Sequence, residues 1–509
     1  MLYSVDEKTR SSSNFFSNRG KPQDCLLVIF GGSGDLAKRK LFPALANLML
    51  KKQMPEHFKI IAVGRKDMAV KDLLSMGKFP PGFESHFVYL QTDYSPEGIA
   101  RLKSLCESTC GQHDIPPNYL FYLAIPPQGY EEVADALKNG GLVYPPKGPN
   151  WSRLVVEKPY GRDIDSAIEL NENLLSCFAE KQIYRIDHYL GKEAVQNLLV
   201  FRFANTVFEP IWNRHYIDNV QINSAEWIGC DDRAAYFDKS GILRDMVQNH
   251  LMQIFCLLTM EPPVNLSADA IRDEKVKLLR ALRPFDLEAK PPMAIRGQYG
   301  PGEVKGEMVP GYRQEKGVAD NSSTETFVAL RFQIDNQRWA GVPFYLRSGK
   351  RMTRKGTELV VTFKKMPKLL FNAAEPGVHN NRIVFKIQPQ EAIILELTSK
   401  NPGQSFDLSD TSMNFCYSDH FDTTADAYER LLLDAMLGDP TLFVRSDESE
   451  LSWKFLDPLL KHWASTPMGK AFPNYQSGTD GPAEAADIFI QGEEKTEWVD
   501  FSRWDNVCP

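Results

Sequence analysis

The chain has 509 residues, more than one hydrophobic core usually serves, so two domains are the expectation. Its 59 Lys and Arg against 66 Asp and Glu give a formal charge of −7, which argues against the broad basic face that nucleic acid or an anionic membrane requires. The longest apolar stretch, around residues 251–260, is interrupted by Gln253 and is too short to span a bilayer.

Residues 1–23 are polar and Ser-rich, lack the apolar run of a secretory signal, and carry Asp6 and Glu7, which organellar transit peptides avoid. A disordered N-terminal tail is expected there. Order begins at Cys25–Phe30, a continuous apolar run before glycines, which reads as a parallel strand buried on both faces. A helical pattern follows, with Leu41, Leu45 and Leu48 on one side. Further strands are predicted at 59–63, 87–92, 119–124 and 153–156, with helices between them at places such as 95–106 and 131–138. This alternation predicts a Rossmann-type doubly wound α/β sheet over 24–186. After about residue 186 the texture changes. One long helix over 241–260 is followed by strands near 326–334, 359–363 and 383–387 and a helical stretch through 425–437. Residues 187–509 therefore read as a larger α+β domain with a mostly antiparallel sheet.

The eight cysteines are thinly spread, and only Cys106 and Cys110 lie close together. That usage predicts a reducing, cytoplasmic setting with neither a disulfide framework nor a zinc site.

The first strand runs into Gly31-Gly32-Ser33-Gly34-Asp35-Leu36-Ala37. Glycines at a strand-to-helix turn let the backbone approach a pyrophosphate while helix amides donate to it. The spacing differs from G-x-G-x-x-G, so position carries the argument: the turn ends the first strand, where such folds bind dinucleotides. The second strand ends in Arg65 and Lys66, where an NAD site would place an acid. An arginine there suits a 2′-phosphate, which favours NADP and leaves additional NAD use open. Simple solvation of Arg65 and Lys66 at a strand end is the bland alternative.

Three short segments carry chemistry: Glu157-Lys158-Pro159, Arg185-Ile186-Asp187-His188-Tyr189-Leu190-Gly191-Lys192-Glu193, and Arg244-Asp245-Met246-Val247-Gln248-Asn249-His250. The second resembles the signature nonapeptide of the glucose-6-phosphate dehydrogenases, and blocks at 31–37, 157–161, 248–251, 344–350 and 425–433 are similar to that family's in the same order. An alcohol oxidised by hydride loss needs a base with a pKa near neutrality, for which histidine is the usual choice. His250 has that chemistry, although it shares a helix face with Leu243, Met246, Val247 and Ile254 and could equally be a core residue. Such a base needs a carboxylate to fix its tautomer. On an α-helix Asp245 would lie about 140° away from His250, which suits it badly.

The resemblance implies a better partner, Asp187, and places Asp245 and Glu226 on sugar hydroxyls. From sequence alone, Asp187 could instead pair with Arg185. The resemblance further implies that His188, Tyr189 and Lys192 hold the 6-phosphate, and that Lys158 bridges substrate and cofactor before a cis Pro159. It also implies that Lys350 and Lys355 contact phosphate or ring hydroxyls, with Arg351 and Arg354 as rim charges or Arg354 in place of Lys355. Asp93, Tyr94 and Tyr130 are expected near the cofactor, beside Gly31, Gly32, Ser33, Gly34, Asp35, Leu36 and Arg65. Some family members carry a second, structural NADP, in blocks that here hold Lys386, Gln388 and Arg445; Lys386 stands where arginine is expected. No cluster has metal-ligand spacing.

The expectation is thus an NADP-linked, metal-independent oxidation of glucose 6-phosphate by a homodimer or homotetramer. A non-catalytic NADP-binding redox sensor on the same fold is the alternative, and another hexose phosphate or free glucose is the alternative substrate.

Overall fold

The computed structural model describes residues 20–75, 77–365, 380–403, 407–421, 426–490, 496–505 and 507–508. The expected tail therefore lies outside the described residues as far as residue 19. The chain divides into two compact units.

The first unit is built on six parallel strands: β1 (Cys25–Phe30), β2 (Phe58–Gly64), β3 (Phe87–Gln91), β4 (Tyr119–Leu123), β5 (Ser152–Val156) and β6 (Ile183–Ile186). They stand in the order β6-β5-β4-β1-β2-β3, so the order reverses between β1 and β4, the switch point of a doubly wound sheet. All six residues of β1 are buried, as a central parallel strand requires. Its side chains Leu26, Val28 and Phe30 join Phe121, Leu154, Ile99 and Leu102 in one core.

This unit is not one continuous stretch. The segment Asp426–Val444 returns to it, bringing the helix Ala427–Leu437 and a short antiparallel strand, Phe443–Val444, that pairs with β6. Arg153 Nη1 donates to the carbonyls of Ala435 and Met436, and Phe443 meets the Tyr184 ring edge-on at 4.8 Å. No periodicity in the sequence signals that return.

The second unit carries an eight-stranded sheet: β7 (Ile217–Ala225), β8 (Ala294–Gly297), β9 (Phe327–Phe332), β10 (Phe344–Gly349), β11 (Gly356–Phe363), β12 (Arg382–Gln388), β13 (Ala392–Lys400) and β14 (Leu408–Cys416). The order is β14-β13-β12-β11-β7-β10-β9-β8, antiparallel throughout except between β7 and β10. Strand alternation sends neighbouring residues to opposite faces. Phe385 packs against Phe201 and Trp212, while Val384 joins Val360 and Ile394 around Trp504 of the C-terminal segment.

Two expectations are corrected here. The helix over 241–260 is interrupted by Gly241 at φ +72°, then runs from Leu243 to Leu251 with the wider π winding before α geometry resumes over Met252–Thr259. A Cβ at Gly241 would lie 2.2 Å from Glu325 Oε1, and the Glu325 carbonyl accepts from the Ile242 amide, so the break is anchored. Ser452 Oγ donates to the Gln248 carbonyl within the wide turn. The cysteines are not all thiols either: Cys416, at the end of β14, is bonded to Cys508, while the other six are buried and free. The pair is 92 residues apart, and only the return of the C-terminal segment along the sheet brings it together. Among the described residues no helix is long and apolar enough to cross a membrane.

Candidate active site

In the first unit the glycine turn ends β1 beside the switch point. The amides of Gly31 and Gly32 both donate to the Val63 carbonyl, and Gly31 has φ +76°. A Cβ would fall 2.2 Å from the Ala124 carbonyl oxygen at Gly31 and 2.7 Å from the Ala62 side chain at Gly32. Only glycine lets the turn sit this tightly against the strand ends. Ser33 bonds the Tyr89 hydroxyl, Asp35 pairs with Arg39 at 2.7 Å, and Leu36 leads into the helical residues from Ala37. Arg65 follows β2, exposed, with its guanidinium 5.9 Å from the Tyr94 ring, and Tyr94 itself meets Phe30 edge-on. A glycine cradle with an exposed guanidinium beyond the second strand fits a dinucleotide carrying a 2′-phosphate.

Asp93 is otherwise engaged: its carboxylate accepts from the Ser95 hydroxyl at 2.6 Å, which holds its pKa below the usual range and braces the start of the helix Pro96–His113. Tyr130 is fully buried and donates to the Glu157 carbonyl at 2.9 Å.

That last contact braces the segment carrying Lys158. The Glu157 carboxylate accepts from the Tyr122 hydroxyl at 2.5 Å and from Tyr428, which arrives on the returning helix. Burial pushes its pKa up, and the two phenols and Lys158 draw it partly back. The Lys158–Pro159 peptide is cis, as the resemblance implies. Asp187 is buried at the end of β6 and closes its segment of this unit. The alternative pairing with Arg185 is not what that arginine makes: its Nη1 lies 2.8 Å from Glu180.

His188, which follows Asp187 in the chain, begins the main segment of the second unit. Its ring lies 4.4 Å from that of His250, edge to face, and the Tyr189 ring stacks on His250 at 4.4 Å. The Lys192 ammonium sits 4.4 Å over Tyr189 and donates to Gln388. Gln388 donates to the Tyr189 hydroxyl at 3.0 Å. Residues 188–191 form a turn and Lys192 stands at the N-cap position of the helix Glu193–Phe203, so His188 and Lys192 lack the shared helix face that their spacing suggests, and each instead adjoins the Tyr189 ring. Gln388 belongs to this cluster from β12, 196 residues away from Lys192, and no local signal announces that role. Of the other two residues in the expected structural-cofactor blocks, Lys386 donates to the Trp504 carbonyl, and Arg445 pairs with Asp273 and Asp447.

The π winding revises the angular argument about Asp245. Five residues make one backbone hydrogen-bonded turn of such a helix, so Asp245 is not rotated away from His250 as an α-helix would require. Asp245 is buried, with Arg233 3.9 Å away. Glu226, just past β7, pairs with Lys350 at 2.6 Å, and Lys350 lies 5.1 Å from the Phe237 ring. Burial alone would lower the Lys350 pKa, but Glu226 and its neighbours hold it above the ordinary value. Lys355 is exposed, whereas Arg354 pairs with Glu358 at 2.5 Å and Asp505 at 2.7 Å.

A Rossmann-type nucleotide unit with a basic 2′-phosphate position, and a second unit that gathers imidazoles, a lysine and a tyrosine, together define a nicotinamide-dependent oxidoreductase. Residues 28–197 match the glucose-6-phosphate dehydrogenase NAD binding domain and residues 199–499 the C-terminal domain of the same family. The chain belongs to the glucose-6-phosphate dehydrogenase family. It is 45% identical to the glucose-6-phosphate 1-dehydrogenase of Bacillus subtilis over 92% of this chain and 96% of that one, and 43% identical to that of Chlamydia pneumoniae over 93% and 95%. Among solved structures it resembles a glucose-6-phosphate dehydrogenase in complex with its substrate glucose 6-phosphate, with TM-score 0.84 and 37% identity over 93% of this chain and 99% of that one. The enzyme from Mycobacterium avium superposes with TM-score 0.78 and 33% identity, over 94% and 100%.

Proposed function

We propose that this enzyme oxidises C1 of D-glucose 6-phosphate to 6-phospho-D-glucono-1,5-lactone with NADP, the first step of the oxidative pentose phosphate pathway. The observation that carries the proposal is the packing of His188 and Tyr189 against His250, with the Lys192 ammonium over Tyr189. His250 takes the proton of the C1 hydroxyl. Asp187, peptide-bonded to the histidine whose ring meets His250, holds the neutral imidazole in one tautomer and stabilises the imidazolium that forms. Bound NADP supplies the acceptor for the hydride that leaves C1. Gly31, Gly32, Ser33, Gly34, Asp35 and Leu36 would hold its pyrophosphate and Arg65 its 2′-phosphate, with Asp93, Tyr94 and Tyr130 flanking.

Lys158 bridges the two ligands. His188, Tyr189 and Lys192 bind the 6-phosphate, Glu226 and Asp245 the ring hydroxyls, and Lys350 and Lys355 the phosphate or ring hydroxyls. The sensor alternative gains no support from the matched families.

The exposed Met413, Phe415 and Phe421 on and beyond the edge strand β14 favour a homodimer or homotetramer. That six of the eight cysteines are free thiols favours a cytoplasmic location, against which the Cys416–Cys508 bond stands.

The test is near-ultraviolet absorbance of NADPH with purified protein, NADP and glucose 6-phosphate. Steady NADPH production dependent on both substrates is expected. Folded protein that yields none refutes the function.

A further inference from the structure

Two loops carry the Glu226–Lys350 pair: residues 226–233, after β7, and residues 350–352, after β10. They are laced together by backbone bonds, Glu226 N to the Gly349 carbonyl at 2.9 Å, Met352 N to the Glu226 carbonyl at 2.9 Å, and Arg351 N to the Ile228 carbonyl at 3.2 Å. Each loop holds a non-glycine residue in the left-handed region, Asp231 at φ +45° and Arg351 at φ +52°. Such conformations persist only where the surroundings over-determine them.

One carboxylate reaches both residues. Glu315 comes from the turn after Tyr312–Gln314 and its side chain is 5% exposed. Its Oε2 accepts from the amides of Asp231 at 2.8 Å and Cys230 at 3.1 Å, and its Oε1 from the Tyr299 hydroxyl. The Arg351 guanidinium lies 3.8 Å from Glu315 and 3.4 Å from Asp231. A Cβ at Gly229 would meet Glu315 Oε1 at 2.3 Å, so the loop closes directly onto the carboxylate. On the far side Tyr475, 6.3 Å from Tyr299, donates to the Lys350 carbonyl at 2.9 Å. Burial raises the Cys230 thiol to about 12, so it is inert and the loop's anchoring rests on the carboxylate.

We infer that Glu315 is a positioning residue for the oxidation, fixing the two loops so that Glu226 and Lys350 meet the sugar at one distance and angle. It does not itself touch substrate, and the inference rests on the reading of Glu226 and Lys350 as sugar ligands. Loss of its two acceptor positions leaves two buried amides and a strained loop, and the consequence falls on sugar binding, not on the nucleotide.

The experiment compares Glu315→Ala, Glu315→Gln, Glu226→Gln and the double variant Glu315→Ala/Glu226→Gln in the full chain, by KM for each substrate. Glu315→Ala should raise KM for glucose 6-phosphate about tenfold and leave KM for NADP within about twofold. Glu315→Gln, which keeps an oxygen for the amides, should recover most of that loss. The double variant should be little worse than Glu226→Gln alone, because the two act as one unit. Should Glu315→Ala not fold, Tyr299→Phe removes a donor from the same carboxylate and should raise KM for the sugar phosphate alone, by about twofold.

Unchanged KM in the folded Glu315 or Tyr299 variants, or effects that multiply in the double variant, overturn the inference. If Glu226→Gln raises KM while Glu315→Ala does not, only the role of Glu315 falls. If Glu226→Gln leaves KM unchanged, the sugar-ligand reading falls and takes this inference with it.

Discussion

His250 lies in a π-wound stretch, a geometry found mostly as short bulges at functional sites. The histidine is almost fully buried, against two other rings, so its chemistry depends on partners fixed by packing and not on solvent. Glutamine or asparagine at this position keeps much of the volume and loses the proton acceptor. His250→Asn should lower kcat by about 10²–10⁴-fold with KM values little altered, read by steady-state NADPH formation. Glu157 offers a pH signature. Its folded pKa is raised by burial, so the native state holds the proton more tightly than the unfolded chain. The stabilisation this confers is present below the unfolded carboxyl pKa and declines as pH rises through the folded value. Glu157→Gln should flatten that part of the melting-temperature profile from acid to neutral pH, and an unchanged slope would contradict the assignment.

At the scale of elements, the helices Ala268–Arg280 and Ser446–Ser465 share a buried ion pair, Lys275 to Glu448 at 2.5 Å, with both side chains 1% exposed or less. A charge left alone at such a site is expensive, whereas an apolar pair of similar volume is often tolerated. Lys275→Met should destabilise the protein by about 3–5 kcal/mol, and Lys275→Met/Glu448→Leu should recover most of it, measured by denaturant unfolding. The C-terminal segment is pinned to the sheet both by Trp504, packed among Val360, Val384 and Ile394, and by the Cys416–Cys508 bond. Closing a long loop restricts the unfolded chain. Cys508→Ser should therefore lower the melting temperature, and a dithiol reductant should lower that of the unmodified protein to a similar value but leave the variant's unchanged.

For the whole molecule, the important feature is that the nucleotide-binding unit is completed by residues 426–444. Without them Glu157 loses Tyr428, Arg153 loses its two carbonyl acceptors, and β6 becomes an edge. A fragment of residues 20–187 should not unfold cooperatively by circular dichroism, and the same fragment with 426–444 fused to it should recover a transition. Much of this plan can be read along the chain. The buried run of β1, its glycine turn and the helix–strand alternation specify a doubly wound sheet because parallel strands and tight turns impose their own composition. The nonapeptide and Arg65 likewise announce their chemistry locally.

Other features cannot be read that way, because they depend on residues far apart meeting. The α-helical angle between Asp245 and His250 fails because Leu243–Leu251 is π-wound, which no local periodicity encodes. Gln388 reaches Tyr189 and Lys192 only through the register of β12, and Cys416 reaches Cys508 only through the return of the C-terminal segment. The sequence by itself determined the class of fold and the nucleotide turn and singled out the candidate reacting groups, since these rest on short-range pattern and side-chain chemistry. Only the tertiary structure decided which of those groups face one another and what holds them, since long-range packing alone brings distant carboxylates, phenols and amides within a hydrogen bond.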